Sequence, residues 1–283
     1  MRYGLVIGPC LLIAVAFGLS GCEQSSSAEG VDDGVLRGKL TLTGSSTVAP
    51  LVGEIAKRFE QRHPEVRVDV QTGGSSRGIA DTHSGLADIG MSSRSLKLGE
   101  QAGVTTHILA QDGVAFVINA ANPVASLTNQ QLHDIYTGKI TRWSEVGDRD
   151  APITVINRAE GRSELELVTK FFEIKPSDIQ PTLVAGENQE CVKLVAGNPD
   201  AIAYLSVGTA EYESQRGTPL KLLPFAGVEA NTTTVKAGTF PLGRPLVLIT
   251  KNGRSPLVDA FIEFALTPAV DDLIEGQSFV SPR

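Results

Sequence analysis

Histidine does not occur after His133, no stretch concentrates lysine and arginine, and only three cysteines are spread over the 283 residues. Each shortage excludes something. With a formal charge of −7 and no basic stripe, the chain lacks the electrostatic footprint of a nucleic-acid binder, so no nucleic-acid partner is expected. His63, His83, His107 and His133 are scattered, and no Cys/His cluster has ligand spacing, so neither a metal nor another cofactor is expected. Neither G-x-x-x-x-G-K-[ST] nor G-x-G-x-x-G is present, which removes two common nucleotide-phosphate cradles. Aromatic residues are sparse, and Trp143 in "ITRWSEVG" is read as structural.

An unbroken apolar run long enough to span a membrane is also missing. The nearest approach, "GLVIGPCLLIAVAFGL", follows Arg2, is interrupted by Gly8 and Pro9, and ends in Leu19-Ser20-Gly21-Cys22. That is the form of a secretory signal removed on export. Leu-Ser-Gly-Cys resembles the bacterial lipobox, in which the cysteine is lipidated and becomes the first residue. Residues 1–21 are therefore expected to be a signal peptide, Cys22 the lipidation site, and the polar run 22–36 a flexible tether. The globule is expected to be exported and held at the membrane by its lipid, facing the periplasm or the cell exterior. Cys10 leaves with the signal and Cys22 carries lipid, so Cys191 has no partner for an intrachain disulfide and is read as a small core residue.

What remains alternates strand and helix patterns. "KLTLTG" and "VRVDVQ" read as strands, "PLVGEIAKRFEQRH" as an amphipathic helix with Pro50 in its first turn, and "ADIGMSS" as a strand ending in serines. "TNQQLHDIYTG" is a helix that Thr128 and Gln131 close with a capping box. "APITVINR", "AIAYLSVG" and "PLVLIT" are further strands, separated by the helical "SELELVTKFF" and "ECVKLVAGNP". This succession predicts an α/β fold with largely parallel sheets.

Four strand ends lead into helices or turns through hydroxyls: Ser45, Ser46 and Thr47; Ser75 and Ser76; Ser92, Ser93 and Arg94; and Arg158, Arg162 and Ser163. One such junction is an ordinary helix cap. Four, two of them with arginines, suggest that several helix starts converge on one point. A helix start offers unpaired N–H groups and about half a positive charge, and hydroxyls and a guanidinium fork add directed bonds to an oxyanion. Gly74-Ser75-Ser76-Arg77-Gly78 also matches G-x-S-x-G, the nucleophile elbow of serine hydrolases. A hydrolase triad needs its histidine far downstream, where this chain has none, so Ser76 is not read as a nucleophile. Arg77 is expected to face solvent.

These junctions carry a family resemblance. "GSSTVAP", "GGSSRGI", "ADIGMSSR", "DGVAFVINAANPVASLTNQQLHDIYTGKITRWSEVG", "NPDAIAYLSVG" and "GTFPLGRPLVLITK" occur in the order found in the substrate-binding lipoproteins of the bacterial phosphate ABC transporter. The chain resembles that family over roughly residues 38–265. The resemblance implies a two-lobed periplasmic-binding-protein fold, each lobe a mostly parallel sheet flanked by helices, joined by a two-segment hinge. Residues 37–117 and 242–283 would form lobe I and 118–241 lobe II, with crossings near 112–118 and 241–248. It implies binding of inorganic phosphate by Ser46, Thr47, Ser75, Ser76, Ser93, Arg94, Arg158, Arg162 and Ser163, delivery to membrane permease and ATPase subunits, no catalysis, and a monomer.

Two departures bear on the ligand. The family's Arg-x-x-Gly-Ser-Gly-Thr loop reads here Arg158-Ala159-Glu160-Gly161-Arg162-Ser163-Glu164, and Ser93 stands where well-studied relatives have an aspartate that accepts the proton of hydrogen phosphate. The hydroxyl of Ser93 or another carboxylate, Glu160, Asp112 or Glu164, must then be the acceptor. Sulfate, molybdate or another oxyanion, a phosphate-sensing role, and a serine hydrolase are the alternatives.

Overall fold

The computed structural model describes Met1 and residues 30–32, 35–147 and 149–283. In chain order the elements are β1 (Gly30–Asp32), β2 (Val35–Gly44), α1 (Ala49–Arg62), β3 (Val66–Thr72), α2 (Ser75–Ser84), β4 (Ile89–Ser92), β5 (Val104–Asn119), α3 (Asn129–Tyr136), β6 (Thr154–Arg158), α4 (Ser163–Phe172), β7 (Leu183–Ala185), α5 (Asn188–Ala196), β8 (Ala201–Ser206), α6 (Val207–Gln215), β9 (Leu220–Leu222), α7 (Thr232–Lys236), β10 (Gly243–Lys251), α8 (Pro256–Ala265) and α9 (Asp271–Gly276). Helix starts follow local chemistry. Thr128 and Gln131 form the capping box of α3, while Ser255 caps α8 with Pro256 just inside it.

Among the described residues two large hydrophobic cores form, with a small third cluster of Ile79, Leu96, Val247 and Ile249. One gathers Leu40 and Leu42 of β2, Leu51, Ile55 and Phe59 of α1, Leu109 and Ala110 of β5, Leu246 and Leu248 of β10, and Phe261 of α8. The other runs from Val114 to Leu242 in sequence and includes Phe116, Tyr136, Trp143, Cys191 and Tyr204. Helix α1 turns Leu51, Val52, Ile55 and Phe59 inward, at the spacing that puts residues on one face of a helix. Every residue of β8 is buried, as expected of a strand covered on both faces. Cys191 and Trp143 are buried in the second core, and the Trp143 indole donates to the Asp200 carbonyl at 3.0 Å.

Each core has a parallel sheet on one side. β3, β2 and β4 are parallel in the first, and β7, β6 and β8 in the second. The strands that link them are antiparallel. β5 pairs with β10 along Val104–Gly113 and then with β8 along Val114–Ile118, so one continuous strand passes from one core to the other. A bulge at Leu246/Val247 lies beside this crossing, and such an irregularity bends a strand locally. The sheets are thus parallel at their flanks and antiparallel along their shared spine.

The expected tether is partly structured, because Gly30–Asp32 pairs antiparallel with Val35–Arg37. Cys22 and the expected signal 1–21 lie outside the described residues, apart from Met1. Among the described residues no helix is long and apolar enough to cross a membrane.

Candidate functional site

The strand–helix junctions of both halves point into the space between the cores. At the first, the Ser45 hydroxyl accepts from the N–H of Thr47 at 3.2 Å, which turns the Thr47 side chain inward. The second depends on glycine: Gly74 has φ +94°, and a Cβ there would lie 2.7 Å from the Gly161 carbonyl across the interface. Only a residue without a side chain lets the start of α2 approach the other half so closely. The N–H of Ser76 then donates to that same carbonyl at 3.3 Å.

At the centre the hydroxyls meet. Ser93 Oγ receives a hydrogen bond from Ser45 Oγ at 2.9 Å, lies 2.6 Å from Ser163 Oγ, and lies 3.4 Å from Ser75 Oγ. Ser75 Oγ also accepts from the Ser93 N–H at 3.1 Å. Beside them Arg244 at the start of β10 donates to Ser163 Oγ at 3.0 Å and to Thr47 Oγ1 at 3.3 Å. Asn188, at the start of α5, donates to Thr47 Oγ1 at 2.9 Å. Thr47, Ser75, Ser93 and Ser163 are all buried, and they come from both halves of the molecule.

Two arginines and two carboxylates complete the cluster. Arg244 and Asp112 face each other in register across β10 and β5, and their Nη2–Oδ2 distance is 2.9 Å. Asp112 Oδ1 accepts from the Gly208 N–H at 3.0 Å. Glu164, in the first turn of α4, accepts from Thr47 Oγ1 at 2.9 Å and pairs with Arg244 Nη1 at 3.0 Å. Arg158 Nη2 is 3.8 Å from the other Glu164 oxygen, while its Nη1 donates to Cys191 Sγ at 3.0 Å. Burial by itself would raise the Glu164 carboxyl. Arg244 and Arg158, with the residue's own N–H and the Thr47 hydroxyl, outweigh it and hold the group down to about 2. Burial likewise pushes the Cys191 thiol up, against the pull of Arg158.

The remaining expected site residues lie elsewhere. Ser76 follows Ser75 by one helical position, which rotates its side chain by about 100°, and its hydroxyl donates to Glu166 at 3.1 Å. Arg94 does not reach the hydroxyl cluster: it pairs with Glu100 at 2.7 Å and with Glu166 at 3.2 Å, and Lys97 joins Glu166 at 2.7 Å. Arg162 pairs with Glu187 at 3.1 Å. Ser46 is half-buried and lines a cavity of ≈260 Å³ with Thr47 and Asn188, which shares no lining residue with the ≈500 Å³ cleft lined by Arg94, Ser163, Glu166 and Arg244. Glu160 is exposed, so of the three carboxylates considered as acceptors only Asp112 and Glu164 reach the centre. Arg77 is exposed and pairs with Asp81 along its own helix.

Arg244 and Asn188 escaped the sequence reading. Asn188 sits one residue inside a helix start, a usable signal. Arg244 opens a strand, in "GRPLVLIT", and no helix junction marks it.

The hydrolase reading finds no base. His83 contacts the Glu100 carbonyl, His107 contacts Thr250, His133 contacts Asp134, and the His63 ring packs on Phe59.

Two α/β halves joined by the continuous strand β5, with a polar cluster where they meet, define a two-lobed ligand receptor. A family model described as a PBP superfamily domain matches residues 25–269. The phosphate-binding protein PstS of Bacillus subtilis is 27% identical over 98% of this chain and 92% of its own length. An ABC-type phosphate transport receptor from Vibrio cholerae superposes with a TM-score of 0.71 at 32% identity, covering 86% of this chain and all of that one. A Clostridium perfringens protein crystallised with bound phosphate gives 0.80 at 30% identity over 87% of this chain and all of that one. The chain belongs to the PBP superfamily and, within it, to the substrate-binding proteins of phosphate ABC transporters. It is a binding component and not an enzyme.

Proposed function

We propose that the cleft binds inorganic phosphate outside the cytoplasm and delivers it to the permease of an ABC importer. The observation that carries this reading is the meeting of Thr47, Ser75, Ser93 and Ser163 with Arg244 at one buried point between the lobes, with Arg158 reaching it through Glu164 at 3.8 Å. A tetrahedral oxyanion needs donors on several sides, and hydroxyls with guanidinium forks supply them without a metal. The relatives named above as phosphate-binding proteins support the choice of phosphate.

The buried Asp112 carboxylate favours a proton-bearing anion. Hydrogen phosphate can donate its O–H to a buried carboxylate, whereas sulfate has none to offer at neutral pH and would leave the acceptor unpaired. The lobes are residues 37–113 with 243–283, and 114–242, because Val114–Val117 and Leu242 pack in the second core, a few residues off the boundaries expected from the sequence. The hinge runs through β5 and the start of β10, where the two cores part between Ala110 and Val114. The exported form is a monomer held at the membrane by lipid on Cys22, and the ATPase partner of the permease drives transport.

Radiolabelled phosphate incubated with the purified protein tests the ligand. Retention is expected to survive a thousandfold excess of sulfate; its loss would assign the cleft to another oxyanion.

A further inference from the structure

The carboxylate of Glu164 lies where it uses the donors that a bound anion would need. Its Oε1 takes Thr47 Oγ1 of one lobe and Nη1 of Arg244, and its Oε2 faces Arg158. The side chain is buried at the first turn of α4, where the helix end favours negative charge. The charges also balance: two guanidinium groups, Arg158 and Arg244, face two carboxylates, Asp112 and Glu164. An additional anion beside all four would leave uncompensated negative charge in a low-dielectric interior. Ser163, the residue before Glu164, lines the ≈500 Å³ cleft, so solvent lies one residue away.

We propose that the Glu164 carboxylate is a tethered stand-in for the anion: it holds the two lobes together in the anion's place, and phosphate gains its donors by displacing it. This rests on the phosphate reading of the cleft. A carboxylate that accepted the ligand's proton would be the ligand's partner. One that takes the same hydroxyl and guanidinium groups is its rival, and the contacts of Glu164 are of the second kind. Glu164 thereby sets the affinity threshold of the site, because every bound phosphate has to outcompete a carboxylate already in place.

Glu164→Gln keeps the shape and removes the charge. Phosphate titrated calorimetrically into this variant is expected to bind at least about tenfold more tightly than into the wild type. Without added phosphate, small-angle scattering is expected to give the variant a larger radius of gyration, since the interlobe tie is weakened. Weaker binding would make Glu164 the partner of the ligand's proton and overturn the proposal, and so would unchanged affinity. An unchanged radius of gyration would remove the tethering role. If neither protein bound phosphate, the phosphate reading would fail, while the scattering comparison would still decide whether Glu164 ties the lobes. Should the glutamine variant not fold by circular dichroism, Glu164→Asp serves: its shorter side chain draws the carboxylate away from Thr47 and Arg244, and tighter phosphate binding is again expected.

Discussion

Two clusters of arginine and carboxylate join the lobes, and they differ in what surrounds them. At the centre Arg244 lies between Asp112 and Glu164, with all three side chains at most 3% exposed. At the mouth of the cleft Arg94 and Lys97 meet Glu166, with side-chain exposures of 11%, 64% and 26%. The pair geometries are alike, with nitrogen–oxygen distances between 2.7 and 3.2 Å. Their physics is not. Water and salt screen the outer cluster, so its loss is replaced by hydration. The central cluster has no such replacement, and each charge there depends on the others.

The largest effect expected from that difference is at Arg244. Arg244→Ala leaves Asp112 and Glu164 buried without their main counter-charge and is expected to cost on the order of 3–5 kcal/mol, read from urea unfolding. A loss under about 1 kcal/mol would mean that the centre behaves like the rim. Acid titration sharpens the contrast next. The Glu164 carboxyl is lowered from 4.5 to about 2 in the folded protein, so its contribution to stability is complete above about 4.5 and is lost as pH falls toward about 2. Wild type is therefore expected to lose stability through that window more steeply than Glu164→Gln, and parallel curves would contradict it. The smallest effect belongs to the rim. Glu166→Gln is expected to cost less than about 1 kcal/mol, to cost less still in high salt, and to leave phosphate affinity within about twofold. A larger change in affinity would move the rim cluster into the binding site.

The same contrast separates what was legible beforehand. Thr47, Ser75, Ser93 and Ser163 were readable because a hydroxyl at a strand–helix junction is a local pattern, and helix starts that flank one cleft naturally face it. Ser76 and Arg94 belong to the same junction motifs, but the motifs do not say which way each side chain turns. One helical step turned Ser76 toward Glu166, and Glu100, close by in sequence, drew Arg94 to the rim. The parallel flanks of each sheet followed from the alternation of strand and helix. The first half of β5, in "VTTHILAQ", carries exposed and buried residues side by side, and its length became evident only through its pairing with β10.

By itself the sequence determined the α/β class, the family and the positions at which hydroxyls would gather, because those rest on short-range periodicity and on motifs a few residues long. Tertiary structure alone decided the charge balance of the site. Arg244 and Asp112 stand 132 positions apart in the sequence, and Glu164 and Thr47 stand 117 apart. Those distances are closed by strand register and by the approach of two lobes, and the strength of each pairing comes from the exclusion of water, which no local stretch of sequence encodes.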